Sequence, residues 1–81
     1  MIIQVLGPGC RKCKTLYELA NKAVAETGVE ALVEKVEDIQ KIMSYNIIMT
    51  PGLVSDGYVK VAGRLPNLEE VKRLILAAKA A

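Results

Sequence analysis

Hydrophobic positions along the chain change their spacing several times, and each change marks an element. Ile2, Ile3, Val5 and Leu6 make a short apolar run that stops at Gly7-Pro8-Gly9, which predicts a buried strand feeding a tight loop. From Arg11 to Thr27 the positions Cys13, Leu16, Tyr17, Ala20, Ala23 and Val24 recur at three- and four-residue steps, and Gly28 follows. That pattern predicts a helix with a glycine stop. Ala31 to Val36 reads as a second strand of mixed pattern, and Asp38 is placed to cap a short helix whose inward face would be Ile39, Ile42 and Met43.

The second half changes character. After Thr50-Pro51, the segments Gly52–Ser55 and Tyr58–Val61 flank Asp56-Gly57, a two-residue loop suited to a type I′ hairpin. Asn67, with Glu70 in the position of a capping-box partner, opens a final helix lined by Leu68, Val71, Ile75 and Ala78. The expected order is β-α-β-α-β-β-α, an α/β fold with a four-stranded mixed sheet flanked by three helices. The first crossover requires its two strands to be parallel.

With 81 residues, the chain is expected to form one domain over 1–81, because so short a chain does not divide into two units with separate cores. Its 52% hydrophobic and 25% charged residues fit a globular domain rather than a disordered one. Lys and Arg number 11 against 9 acidic residues, the basic ones are scattered, and Trp and Phe are absent. Nucleic acid is therefore not an expected partner. The first apolar run is too short for a signal sequence, and no segment is long enough to span a bilayer, so no membrane association and a cytoplasmic location are expected. Structural disulfides are rare in that compartment. A monomer without cofactor or bound metal is the expectation that goes with this.

The candidate chemistry lies in Cys10-Arg11-Lys12-Cys13, where the first strand's loop turns into a helix. Cysteines three apart on a helical turn have Cα atoms roughly 5–6 Å apart, within disulfide range. As a staple such a bond is weak: closing so short a loop is worth about 2 kcal/mol, against about 4.7 for a loop of ~100 residues. The position suits redox chemistry better. A helix start offers unpaired N–H groups and the positive end of the macrodipole, which favour thiolate at Cys10, and Arg11, Lys12 and Lys14 push the same way. Cys10 is thus expected to attack. Cys13, on the apolar face with Leu16 and Tyr17, is expected to be shielded and to resolve the mixed disulfide. Tyr17 and Met43 read as core residues, whereas Met49, beside Thr50-Pro51, is a candidate for a shallow apolar docking surface.

Through Gly9-Cys10-Arg11-Lys12-Cys13, Thr50-Pro51 and the Asp56-Gly57 hairpin, the chain resembles the thioredoxin-like family over essentially its whole length. In particular it resembles the family's small, glutaredoxin-sized archaeal and bacterial members, described as redox-active disulfide proteins. The resemblance implies a thiol–disulfide oxidoreductase of the protein-disulfide reductase type. Its partners would be disulfide-containing target proteins and a reductase, a flavoprotein thioredoxin reductase among the candidates. It also implies that Pro51 is cis and faces the cysteine pair, and that the backbone of Thr50 pairs with an extended substrate segment. The chain departs from the family pattern in three places. Gly9 replaces a Trp before the first cysteine, and Arg11-Lys12 replaces Gly-Pro between the pair. Gln4 stands where a gapless count, six positions before Cys10, places a buried carboxylate in many thioredoxins. Ala62-Gly63-Arg64-Leu65-Pro66 lacks the acids with which glutaredoxins hold glutathione.

Two other functions fit some of these features. A soft-metal carrier for copper or zinc also places Cys-x-x-Cys after a first strand, but such domains run β-α-β-β-α-β and end in a strand. A non-catalytic interaction module on the same fold would leave the intact cysteine pair without a use.

Overall fold

In a computed structural model of the protein, which describes residues 1–9, 11–47 and 49–80 and side chains as far as residue 78, strand β1 (Ile2–Leu6) lies inside the sheet. Its neighbours are β2 (Leu32–Val36) and β3 (Gly52–Ser55), and β4 (Tyr58–Ala62) lies beyond β3, giving the order β2-β1-β3-β4. β1 and β2 are parallel, with Val5 opposite Lys35, while β1–β3 and β3–β4 are antiparallel. The parallel pair follows from the connection, since helix α1 (Arg11–Thr27) carries the chain back across the sheet. Asp56 and Gly57 both take positive φ, 49° and 88°, as a type I′ turn requires. The β3–β4 register shifts between Leu53 and Val54.

Alternation along the strands sends successive side chains to opposite faces, and the two faces carry separate cores. Ile3, Val5, Leu53 and Val61 pack with Leu16, Ala20 and Ala23 of α1 and with Val71 and Ile75 of α3 (Leu68–Ala80). On the other face Leu6, Val36 and Val54 pack with Ile47 and with Ile42 of α2 (Ile39–Met43). Helices α1 and α3 thus share one side of the sheet and α2 covers the other. The architecture is α/β with a four-stranded mixed sheet and three helices.

The helix ends are formed as their sequences dictate. The Asp38 carboxylate accepts from the Gln40 N–H at 3.0 Å, and Asn67 Oδ1 accepts from the Glu70 N–H at 2.8 Å, each satisfying a donor that the helix itself leaves unpaired. At the far end of α1, Gly28 has φ +70° and its N–H returns to the Val24 carbonyl, a glycine stop.

One part of the sequence reading is corrected by α2. Of the three residues expected to face inward, only Ile42 does. Ile39 is 55% exposed and Met43 64%, so Met43 is not a core residue. A helix of five residues, about one and a half turns, needs one inward anchor, and Ile42 supplies it; the remaining apolar residues stay on the surface. Tyr17 is half-buried against the larger core.

Candidate active site

The site forms where β1 ends. Leu6 closes the strand, and the Gly7 N–H donates to the Val36 carbonyl at 2.9 Å, extending the β1–β2 pairing one step into the loop. Cys13 is drawn inward by the same helical face that buries Leu16 and Ala20, leaving the residue 5% exposed. Its sulfur lies directly against Gly7: a Cβ built on that glycine would be 2.1 Å from Cys13 Sγ and 2.8 Å from Cys13 Cβ. No side chain fits there. The same imaginary Cβ would be 3.9 Å from Thr50 Cβ, so Gly7 forms a floor with Cys13 on one side and Thr50 on the other. Cys13 is disulfide-bonded. Cys10, the other cysteine of the chain, lies outside the described residues.

Thr50 and Pro51 arrive from the second half of the chain through a cis peptide bond. The Pro51 carbonyl accepts from the Gly63 N–H at 2.9 Å, tying this loop to the end of β4. Met49 stands over Gly63: a Cβ there would be 3.0 Å from Met49 Cβ and 3.5 Å from its sulfur. Gly63 also has φ +80°, so two constraints select glycine. Met49 is 61% exposed, and Pro51 is fully buried.

Beside Thr50 an apolar groove of about 570 Å³ opens between Pro8, Ile39, Met43 and Ile47. It is floored by Ile42 and bounded by Asn46. The two exposed α2 residues that departed from the expected pattern are therefore walls of this groove. On the other side of the loop, under Cys13, is a recess of about 20 Å³. Val5, Gly7 and Gly9 form its apolar and backbone walls, and Lys14, Lys35 and Glu37 bring charge to it. Lys35 also lies over the Tyr17 ring, 4.5 Å from its centroid, a cation–π contact that holds the ammonium on the α1 face.

The structure thus brings Cys13, Lys14 and Thr50 to one end of the sheet, with Met49 before Thr50 and Pro51 after it in the loop. Arg11 and Lys12 are solvent-exposed in the first turn of α1 and do not line the recess. Gln4 is not beneath the sulfur at all. It projects to the α2 face, where the Tyr45 hydroxyl donates to its Oε1, and Val5 is the β1 residue that faces Cys13. A gapless count back from Cys10 therefore identified the wrong strand position, because the loop length decides which strand residue faces the helix.

Lys35 and Glu37 were not singled out by sequence reasoning, and Ile39 and Met43 were read as inward-facing residues of α2 rather than as walls of a groove. Lys35 carried a usable signal: in parallel register opposite Val5, a charged residue on the core-facing side of a strand calls for a partner or a site. Gly7 could be read only as a turn residue, since its contact with Cys13 appears after α1 has folded back.

Comparison with known proteins shows the family of the chain. Residues 1–76 match the model of a thioredoxin domain family. A protein named thioredoxin from Methanothermobacter thermautotrophicus is 37% identical over 75 residues, covering 93% of this chain and 97% of its own. Another thioredoxin, from Methanocaldococcus jannaschii, is 38% identical over 72 residues, covering 89% of this chain and 83% of its own.

Proposed function

The chain belongs to the thioredoxin domain family and is, in general terms, a thiol–disulfide oxidoreductase; from that premise we propose that Cys10 and Cys13 are its reacting pair and that its substrates are protein disulfides. The observation that carries the proposal is the seating of the Cys13 sulfur on Gly7, with Thr50 alongside. A sulfur so placed is shielded from solvent yet lies beside the Thr50 loop, to which this reading assigns the pairing with a visiting chain.

In this reading Cys10 attacks a target disulfide and forms a mixed disulfide. Cys13 then attacks Cys10, and the target leaves as a dithiol. The helix start and the cations Arg11, Lys12 and Lys14 favour the thiolate of Cys10. Thr50 offers its backbone to the extended target segment, and the buried Pro51, which carries no N–H, keeps a competing donor away from the sulfurs. Met49 and the groove walls Ile39 and Met43 receive apolar side chains flanking the target cysteine. The cycle is closed by a reductase. The protein works as a cytoplasmic monomer; among the described residues no helix is long and apolar enough to cross a membrane.

The rival reading, a soft-metal carrier, is disfavoured by the order of elements, which places α2 between β2 and β3 where carriers of that class run from one strand directly to the next. The experiment is catalysis of insulin disulfide reduction by the purified, reduced protein. Wild-type protein is expected to accelerate the reaction above an equal concentration of free dithiol, and Cys10→Ser to abolish it. Acceleration that survives Cys10→Ser would refute the assignment of the pair.

A further inference from the structure

Resolution of the mixed disulfide requires Cys13 to lose a proton, because only the thiolate attacks. The residue is 5% exposed, so the proton needs a route out. The recess beneath the sulfur provides one. Its volume of about 20 Å³ exceeds the roughly 10–15 Å³ that one water molecule needs. Three charged side chains line it: Lys14 from α1, Lys35 from β2, and Glu37 just beyond β2. Lysine ammonium groups have no acceptor site. Glu37 is the carboxylate among them, and its position is defined: a Cβ on Gly9 would be 3.0 Å from Glu37 Oε2. Its oxygen lies against the backbone of the residue immediately before Cys10, and Gly9, at φ +92°, leaves room for it.

Building on the redox reading above, we propose that Glu37 is the proton acceptor for Cys13. With a target bound to Cys10, the Cys13 S–H bond breaks and its proton passes through a water in the recess to the Glu37 carboxylate. The thiolate attacks the Cys10 sulfur and forms the Cys10–Cys13 bond. The Cys10–target S–S bond breaks, and its electron pair leaves on the target sulfur, which then takes up a proton. Two electrons pass from the protein dithiol to the target disulfide. When the pair is re-reduced, Cys13 leaves as a thiolate and Glu37 returns the proton. Lys14 and Lys35, the latter fixed over Tyr17, place positive charge beside the sulfur while it is anionic, and so act as positioning residues.

The step is isolated by reacting reduced protein with dithiobis-nitrobenzoate, which releases one coloured thiolate when Cys10 attacks and a second when Cys13 resolves. In Glu37→Gln, which keeps the side chain's size, the second phase at neutral pH is expected to slow at least about a hundredfold, the lower end of what a positioned base contributes. Its rate should then rise with each pH unit as hydroxide takes over. Glu37→Asp should recover part of the loss, and Glu34→Gln, exposed on the opposite face of β2, should match wild type. A second phase in Glu37→Gln with the wild-type rate and pH profile would overturn this inference alone. Wild-type protein that releases neither thiolate faster than a free dithiol would overturn the redox reading and the inference together.

Discussion

At the scale of single residues, the site depends on glycines used as absences of side chain. Gly7 is required because the Cys13 sulfur occupies the volume a Cβ would take. Gly7→Ala must move either β1's end or the first turn of α1, and overpacking of this kind costs about 1–3 kcal/mol. Urea unfolding of Gly7→Ala should show a loss of that size, together with slower release of the target from the mixed disulfide. A variant as stable and as active as wild type would show that the sulfur is not seated on Gly7. The same logic explains Gly63 under Met49 and Gly9 beside Glu37. None of these contacts can be read from spacing along the chain, because each joins a loop to an element that reaches it only in the folded state.

At the scale of elements, most of the architecture was legible in the sequence. The period of α1, the hairpin at Asp56-Gly57 and the cap at Asn67 are local signals, and the structure carries them at the expected positions. α2 was misread because its apolar residues serve two purposes. Ile42 closes the smaller core, whereas Ile39 and Met43 stay exposed and wall a groove beside Thr50; hydrophobic spacing cannot separate burial in the protein from burial by a partner. The element therefore makes a divided prediction. Ile39→Ser and Met43→Ser should change unfolding free energy by no more than about 0.5 kcal/mol, as surface substitutions do, yet raise the KM for insulin reduction severalfold. Ile42→Ala should destabilise by about 2–5 kcal/mol. Equal stability losses at all three positions would place Ile39 and Met43 back in the core.

At the scale of the whole molecule, two helices pack on one sheet face, and among the described residues an ion pair ties them across their surfaces. Glu26 of α1 meets Lys72 of α3. The Lys72 hydrogen bond, with the nearby charges of Lys72 and Lys22, holds the Glu26 carboxyl below its ordinary value of 4.5. Arg64 does the same for Glu70 at the start of α3. A carboxylate with a depressed folded-state pKa binds fewer protons folded than unfolded near that value, so its contribution is complete above pH 4.5 and is lost as pH falls below it. Thermal melts should therefore show the Tm falling through this acidic range, and Glu26→Gln should flatten the fall; an identical acid profile in the variant would remove Glu26 from the account. The most direct measurement is the intact mass of Cys13→Ser after incubation with a peptide disulfide. A stable adduct of one peptide thiol, mapped by proteolysis to Cys10, is the expected result. No adduct, with Cys10 still alkylatable, would contradict the central claim that this pair exchanges electrons through a transient covalent link to a partner.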